Sequence, residues 1–172
     1  MHQKIGFHSG AARIAVTGVW GILCVMIFAA PVLSMNGFPI AATAIYVFFS
    51  RICHQSPMRV FTIRGYPLAV CHRCSGIYLG FFLGSFIRIP RMYRSPRTRR
   101  YWVLAAIVPV VSDTLAPFCG IWTNTCGSRF LTGLFFGIVT SSLLAQGIEE
   151  FFAEIPWRRF LPGGSNLRGG PL

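Results

Sequence analysis

Ile14–Leu33 is an uninterrupted run without a single charged side chain. At about twenty residues and ~1.5 Å of rise per residue, such a run as a helix crosses the ~30 Å of a bilayer's hydrocarbon core. Three further apolar runs follow: Cys74–Ile87, extended backward through the Cys-His-Arg-Cys turn; Tyr101–Phe118, broken only by Asp113; and Phe130–Ile148. Charged residues make up only 12% of the 172-residue chain, too few to coat a soluble surface around 53% hydrophobic residues. The first run, behind Lys4 and Arg13, exceeds the ~7–15 apolar residues of a cleaved signal and reads as a retained anchor. Residues 1–160 are therefore expected to form a single integral membrane domain. Residues 161–172, rich in Gly, Pro, Ser and Asn, are expected to form a disordered tail.

Sixteen Lys and Arg face four Asp and Glu. In a soluble chain that imbalance would point to nucleic acid, but here the arginines fall where apolar runs end. Arg88, Arg91, Arg94, Arg97, Arg99 and Arg100 crowd one short loop, which the positive-inside rule places in the cytoplasm. The partner implied is the lipid bilayer and its anionic headgroups, not nucleic acid. Both termini then lie inside a cytoplasmic (inner) membrane, with Lys4 and Arg13 at one end and Trp157-Arg158-Arg159 at the other.

Pro39–Ile52 is apolar but short for a span, and it suits a surface helix entered through Asn36-Gly37 with Pro39 at its first position. Met58–Ile63 and Tyr66–Val70 flank Arg64-Gly65 as two short strands around a turn. The expected fold is an all-α membrane protein: four transmembrane helices, a short interfacial helix and a small extracytoplasmic β-hairpin. Gly76, Gly80 and Gly84 recur every four residues, as do Gly133, Gly137 and Ser141. Small residues at that spacing let two membrane helices approach closely, so the second and fourth apolar runs are expected to pack together.

This topology collects Cys53, His54, Cys71, His72, Cys74, Asp113, Cys119, Asn124, Cys126 and Arg129 on the outer side. Cys71 and Cys74, three apart on a first helical turn, face one way, and the helix N-terminus favours their thiolates. The hairpin would return Cys53 and His54 beside them. Cys53, His54, Cys71 and Cys74 make a four-ligand set suited to zinc, or to Cu(I) through its soft thiolates; three protein ligands plus water is a variant. His72 points away and reads as a weaker ligand or a surface imidazole. Cys119 and Cys126 read as a disulfide in an oxidising compartment, and Cys24 as a small apolar filler. Asp113, the acid inside a span, calls for a buried cation, Arg129 or Arg73, as a functional group or as a structural ion pair.

Cys53-His54-Gln55, Pro57, Arg59, Gly65, Pro67, Cys71-x-Arg73-Cys74-x-Gly76, Asp113, Asn124, Arg129 and Thr132-Gly133 together resemble a family of small bacterial membrane proteins, domain of unknown function 2085. The resemblance runs from about Ala41 to Ile148. Val60 stands where the family commonly has Ser, and His72 where it commonly has a small residue. The resemblance implies membrane location and this residue set; it implies no activity.

Three functions remain open from the sequence. One is an extracytoplasmic metal site. Another is a membrane thiol–disulfide oxidoreductase in which Cys71 and Cys74 exchange a disulfide, Cys119 and Cys126 relay electrons, and Arg129 holds a quinone oxygen, by analogy of layout with quinone-coupled disulfide-forming proteins. The third is a structural subunit of a membrane complex. No Ser-His-Asp set or carboxylate pair suggests a hydrolase, and Glu149-Glu150 reads as a solvated helix end.

Overall fold

The computed structural model describes residues 3–87, 95–120 and 123–154. The expectations for Arg88, Arg91, Arg94, Trp157-Arg158-Arg159 and the tail 161–172 lie outside the described residues.

The first apolar run forms α1 (Gln3–Met35), which continues back through Arg13. It stops where the Asn36 amide donates to Val32 O and Gly37 takes φ +80°, a left-handed turn that glycine adopts without strain. Pro39 then opens α2 (Pro39–Ser50), whose fixed φ suits a first helical position and whose missing N–H costs nothing there. After one 3₁₀ turn (Pro57–Arg59), β1 (Val60–Ile63) and β2 (Tyr66–Cys71) pair antiparallel. Ile63 faces Tyr66 across the two-residue turn, where Arg64 (φ 49°) and Gly65 (φ 88°) both take the left-handed backbone of a tight hairpin. Two strands are marginal alone; these are held because Leu68, Ala69 and Val70 are buried with Ile27 and Ala30 of α1 and Phe49 of α2.

Strand β2 runs directly into α3 (His72–Phe86), followed by α4 (Pro96–Leu115) and α5 (Cys126–Glu154). The tightest seam is between α3 and α5. A Cβ on Gly80 would lie 2.9 Å from Gly137 Cα and Ile138 N, and one on Gly76 would lie 2.9 Å from Leu134 N. Partner numbers rise together, from Gly76–Phe130 through Gly80–Leu134 to Gly84–Ile138, so the two helices run parallel. Ser141 Oγ donates to Phe81 O (2.8 Å), closing the seam with a hydrogen bond across helices. Against α3, α1 runs antiparallel: Trp20 stacks on Phe81 (4.4 Å), and Arg13 reaches Ser85 O (2.8 Å) and Ile87 O (2.6 Å), satisfying carbonyls at the α3 C-terminus. This places the hairpin and the N-termini of α3 and α5 at one end, and Arg13 with the N-terminus of α4 toward the other.

The expected count of four spans is corrected. Among the described residues two helices are long and apolar enough to cross a membrane, Arg13–Met35 and Cys126–Ile148, each 23 residues. The second run yields only the fifteen residues of α3, ~22 Å, because the strand consumes the chain up to Cys71. The third is shortened at its end, since α4 stops at Leu115, and lengthening it backward takes in Arg99 and Arg100 besides Asp113. Most of the residues along both helices stay outside the buried core, unlike core helices of a soluble fold. Ile14, Val25 and Leu131 stand well exposed on these two helices, as does Ile40 on α2.

Candidate metal centre

Cys53 arrives from the segment after α2, where its N–H donates to Phe49 O (2.8 Å). Gln55, two residues on, anchors this stretch of chain. Its backbone sits at φ 42°, and its side-chain amide donates to both Tyr46 O and Ala69 O at 2.8 Å. Tyr46 in turn donates its hydroxyl to Pro67 O (2.6 Å). These bonds tie the Cys53 segment to β2, the strand that delivers Cys71. Cys71 caps α3 with extended backbone, and Cys74 lies within the first turn. The three Sγ atoms lie within 4.8 Å of one another, and the Cys71 N–H donates to Cys53 Sγ (3.2 Å). Cys53 is buried; Cys71 and Cys74 are half-buried.

Hydrogen bonds from the Cys53 and Cys74 thiols hold the Cys71 thiol far below the usual range, against the opposing effect of burial. The same neighbours, with burial added, push Cys74 up. Three thiols this close resist losing all their protons unless a cation replaces them, and a soft divalent or monovalent metal is such a cation.

His54 does not join the cluster. It is exposed, while its neighbour Cys53 is buried and faces the other two cysteines. His72 is not a surface imidazole either: it is buried at 5% exposure, its ring 4.2 Å from Phe61, and burial lowers its pKa. The expected disulfide is absent; Cys119 and Cys126 are exposed free thiols. That loop is held instead by Asn124, whose amide donates to Asp113 O and, at 3.4 Å, to Asp113 Oδ2.

Asp113 pairs with Arg73, not Arg129. The carboxylate is 4% exposed, and Arg73 also donates from Nη1 to Thr114 Oγ1 (2.8 Å). Arg73 reaches α4 because it crosses α5 at Gly133, where a Cβ would lie 3.3 Å from Arg73 Cγ. Sequence reasoning gave Gln55 no part in building the site. Its signal was its place directly after Cys53-His54, where a long amide can bridge two segments.

The family described as "Predicted membrane protein (DUF2085)" matches residues 53–143, a span that begins at Cys53 of the cluster and takes in both glycine stripes. The chain belongs to this family. It is similar to an uncharacterized protein of Methanocaldococcus jannaschii, 31% identical over 127 residues, covering 73% of this chain and 79% of the relative. It is also similar to an uncharacterized protein of Methanothermobacter thermautotrophicus, 38% identical over 93 residues, covering 52% of this chain and 81% of the relative. Both relatives are archaeal, so the bacterial label attached to the resemblance is too narrow. No solved structure matches. Family and apolar helices together make this a membrane protein with a cysteine triad spaced to hold a metal ion.

Proposed function

We propose that this protein binds one zinc ion at the membrane surface through Cys53, Cys71 and Cys74, with a fourth position open to a non-protein ligand. The observation that carries the proposal is the convergence of three thiols from two separate segments within 4.8 Å, one of them already accepting a backbone N–H. Thiolate sets of this kind suit zinc first and Cu(I) second. Bound metal clamps the Cys53 segment and the hairpin onto the start of α3, and the open position leaves room for exchange of a ligand. A quinone-coupled thiol relay is less well supported, because Cys119 and Cys126 lie outside the cluster. The topology proposed is a single membrane domain in the inner membrane with both termini inside and the cysteine end outside. The grouping of Arg13, Arg97, Arg99 and Arg100 away from the cysteine end supports it.

The test is elemental analysis of detergent-purified protein with a parallel thiol titration. One zinc per chain, lost in Cys53→Ser, is expected. Metal-free protein carrying a Cys71–Cys74 disulfide would replace this reading with the redox one.

A further inference from the structure

A second polar cluster lies beside the cysteines and takes no part in holding them. Arg73 pairs with Asp113, Asn124 bonds to the same aspartate, and Arg129 stands one turn before Gly133, the point where Arg73 crosses α5. Each retains a buried polar atom without a hydrogen-bond partner: Arg73 Nε, Asp113 Oδ1, Asn124 Oδ1 and Arg129 Nε. Buried polar atoms are paired in the great majority of folded proteins, so four orphans in one place call for an occupant. Reversing the Asn124 amide does not remove its orphan, since its nitrogen already faces two acceptors on Asp113.

The orphans define the occupant's chemistry. Two are N–H donors on guanidinium groups and two are oxygen acceptors, so the ligand must offer both acceptor oxygens and donor hydroxyls. Charge narrows it further. Two arginines and one aspartate leave a net charge of one positive unit, and the parallel N-termini of α3 and α5 add positive potential at this end. One negative charge balances that. We propose that this cluster binds a hydroxylated phosphodiester: the phosphate accepts from Arg73 Nε and Arg129 Nε, and two hydroxyls donate, one to Asp113 Oδ1 and the other to Asn124 Oδ1. Two sources carry this chemistry, a glycerol-type lipid headgroup and a free glycerophosphodiester. The cluster's position at the cysteine end, beside the apolar helices, is compatible with either.

The experiment uses the full chain purified in mild detergent. Retention is measured by native mass spectrometry after exchange into micelles containing equal phosphatidylglycerol and phosphatidylcholine. Stability is measured separately by thermal shift with soluble glycerophosphoglycerol. Selective retention of phosphatidylglycerol identifies the lipid source; a thermal shift with glycerophosphoglycerol but no lipid selectivity identifies the free one. In either case Arg129→Met and Asn124→Ala should each weaken binding about tenfold, the scale of one hydrogen bond to a charged group. Arg129 Nε makes no hydrogen bond, so Arg129→Met should melt within a degree or so of wild type without ligand. Cys53→Ser should bind the phosphodiester normally, which keeps this site separate from the metal proposal. Equal retention of both lipids with no thermal shift, or binding unchanged in both variants, overturns the proposal.

Discussion

Replacing Gly80 by alanine adds one methyl at the centre of the α3–α5 seam. The new carbon would meet Gly137 Cα and Ile138 N at 2.9 Å and collide with the Leu134 carbonyl, all of them backbone atoms that cannot swing aside. Relief requires separating two helices that are also in close approach one turn either side, at Gly76 and Gly84. Overpacking of this kind costs about 1–3 kcal/mol, and the rigid neighbours place Gly80 at the upper end. Alanine's better helix propensity returns about 1 kcal/mol, leaving a net loss of about 2 kcal/mol, or roughly thirty-fold in the folding equilibrium. Gly18→Ala in α1 is the matched control: its Cβ would meet nothing within 4 Å, so only the propensity gain remains. Reversible unfolding in mixed detergent micelles, followed by circular dichroism, measures both. Gly80→Ala proving as stable as Gly18→Ala would refute the seam as the source of the bundle's stability.

Other substitutions separate the remaining claims. His54→Ala should keep full metal stoichiometry while Cys53→Ser loses it, read by elemental analysis of the two purified variants. Asp113→Asn leaves Arg73 facing a neutral amide in a buried setting and should cost about 3–5 kcal/mol in detergent unfolding; a variant within about 0.5 kcal/mol of wild type would contradict the buried pair. In metal-free protein, Cys71 should be the thiol alkylated fastest by iodoacetamide at neutral pH, mapped by peptide mass spectrometry. Because its pKa is lower in the folded protein than in the unfolded chain, its contribution to stability is complete above the unfolded thiol range. That contribution is lost as pH falls through the folded value, so the metal-free protein should weaken on acidification. Cys119→Ser and Cys126→Ser should each leave the unfolding midpoint unchanged, since neither thiol is bonded.

Local chemistry in the sequence marked the elements well. Asn36-Gly37 and Pro39 bracket the start of α2, and Arg64-Gly65 is the hairpin turn, because backbone freedom at glycine and its lack at proline are properties of single residues. What the sequence obscured depends on distant partners. The number of spans was overcounted because apolar composition does not reveal that β2 takes the chain as far as Cys71 or that α4 ends at Leu115. Spacing brought Cys71 and Cys74 to one side of a turn, but whether His54 accompanied Cys53 inward depended on the path of the irregular segment between α2 and the hairpin. Asp113 advertised a cation and left two candidates, Arg129 and Arg73. Arg73 took the role because the close approach at Gly133 opens its path to α4, a fact held jointly by three helices.

X-ray absorption at the metal edge of the intact, detergent-solubilised protein tests the central claim most directly, because it counts sulfur neighbours without disturbing them. Three sulfurs at about 2.3 Å with one lighter atom completing the shell are expected. A shell of nitrogen and oxygen alone, or one holding a single sulfur, would contradict convergence of Cys53, Cys71 and Cys74 on one metal.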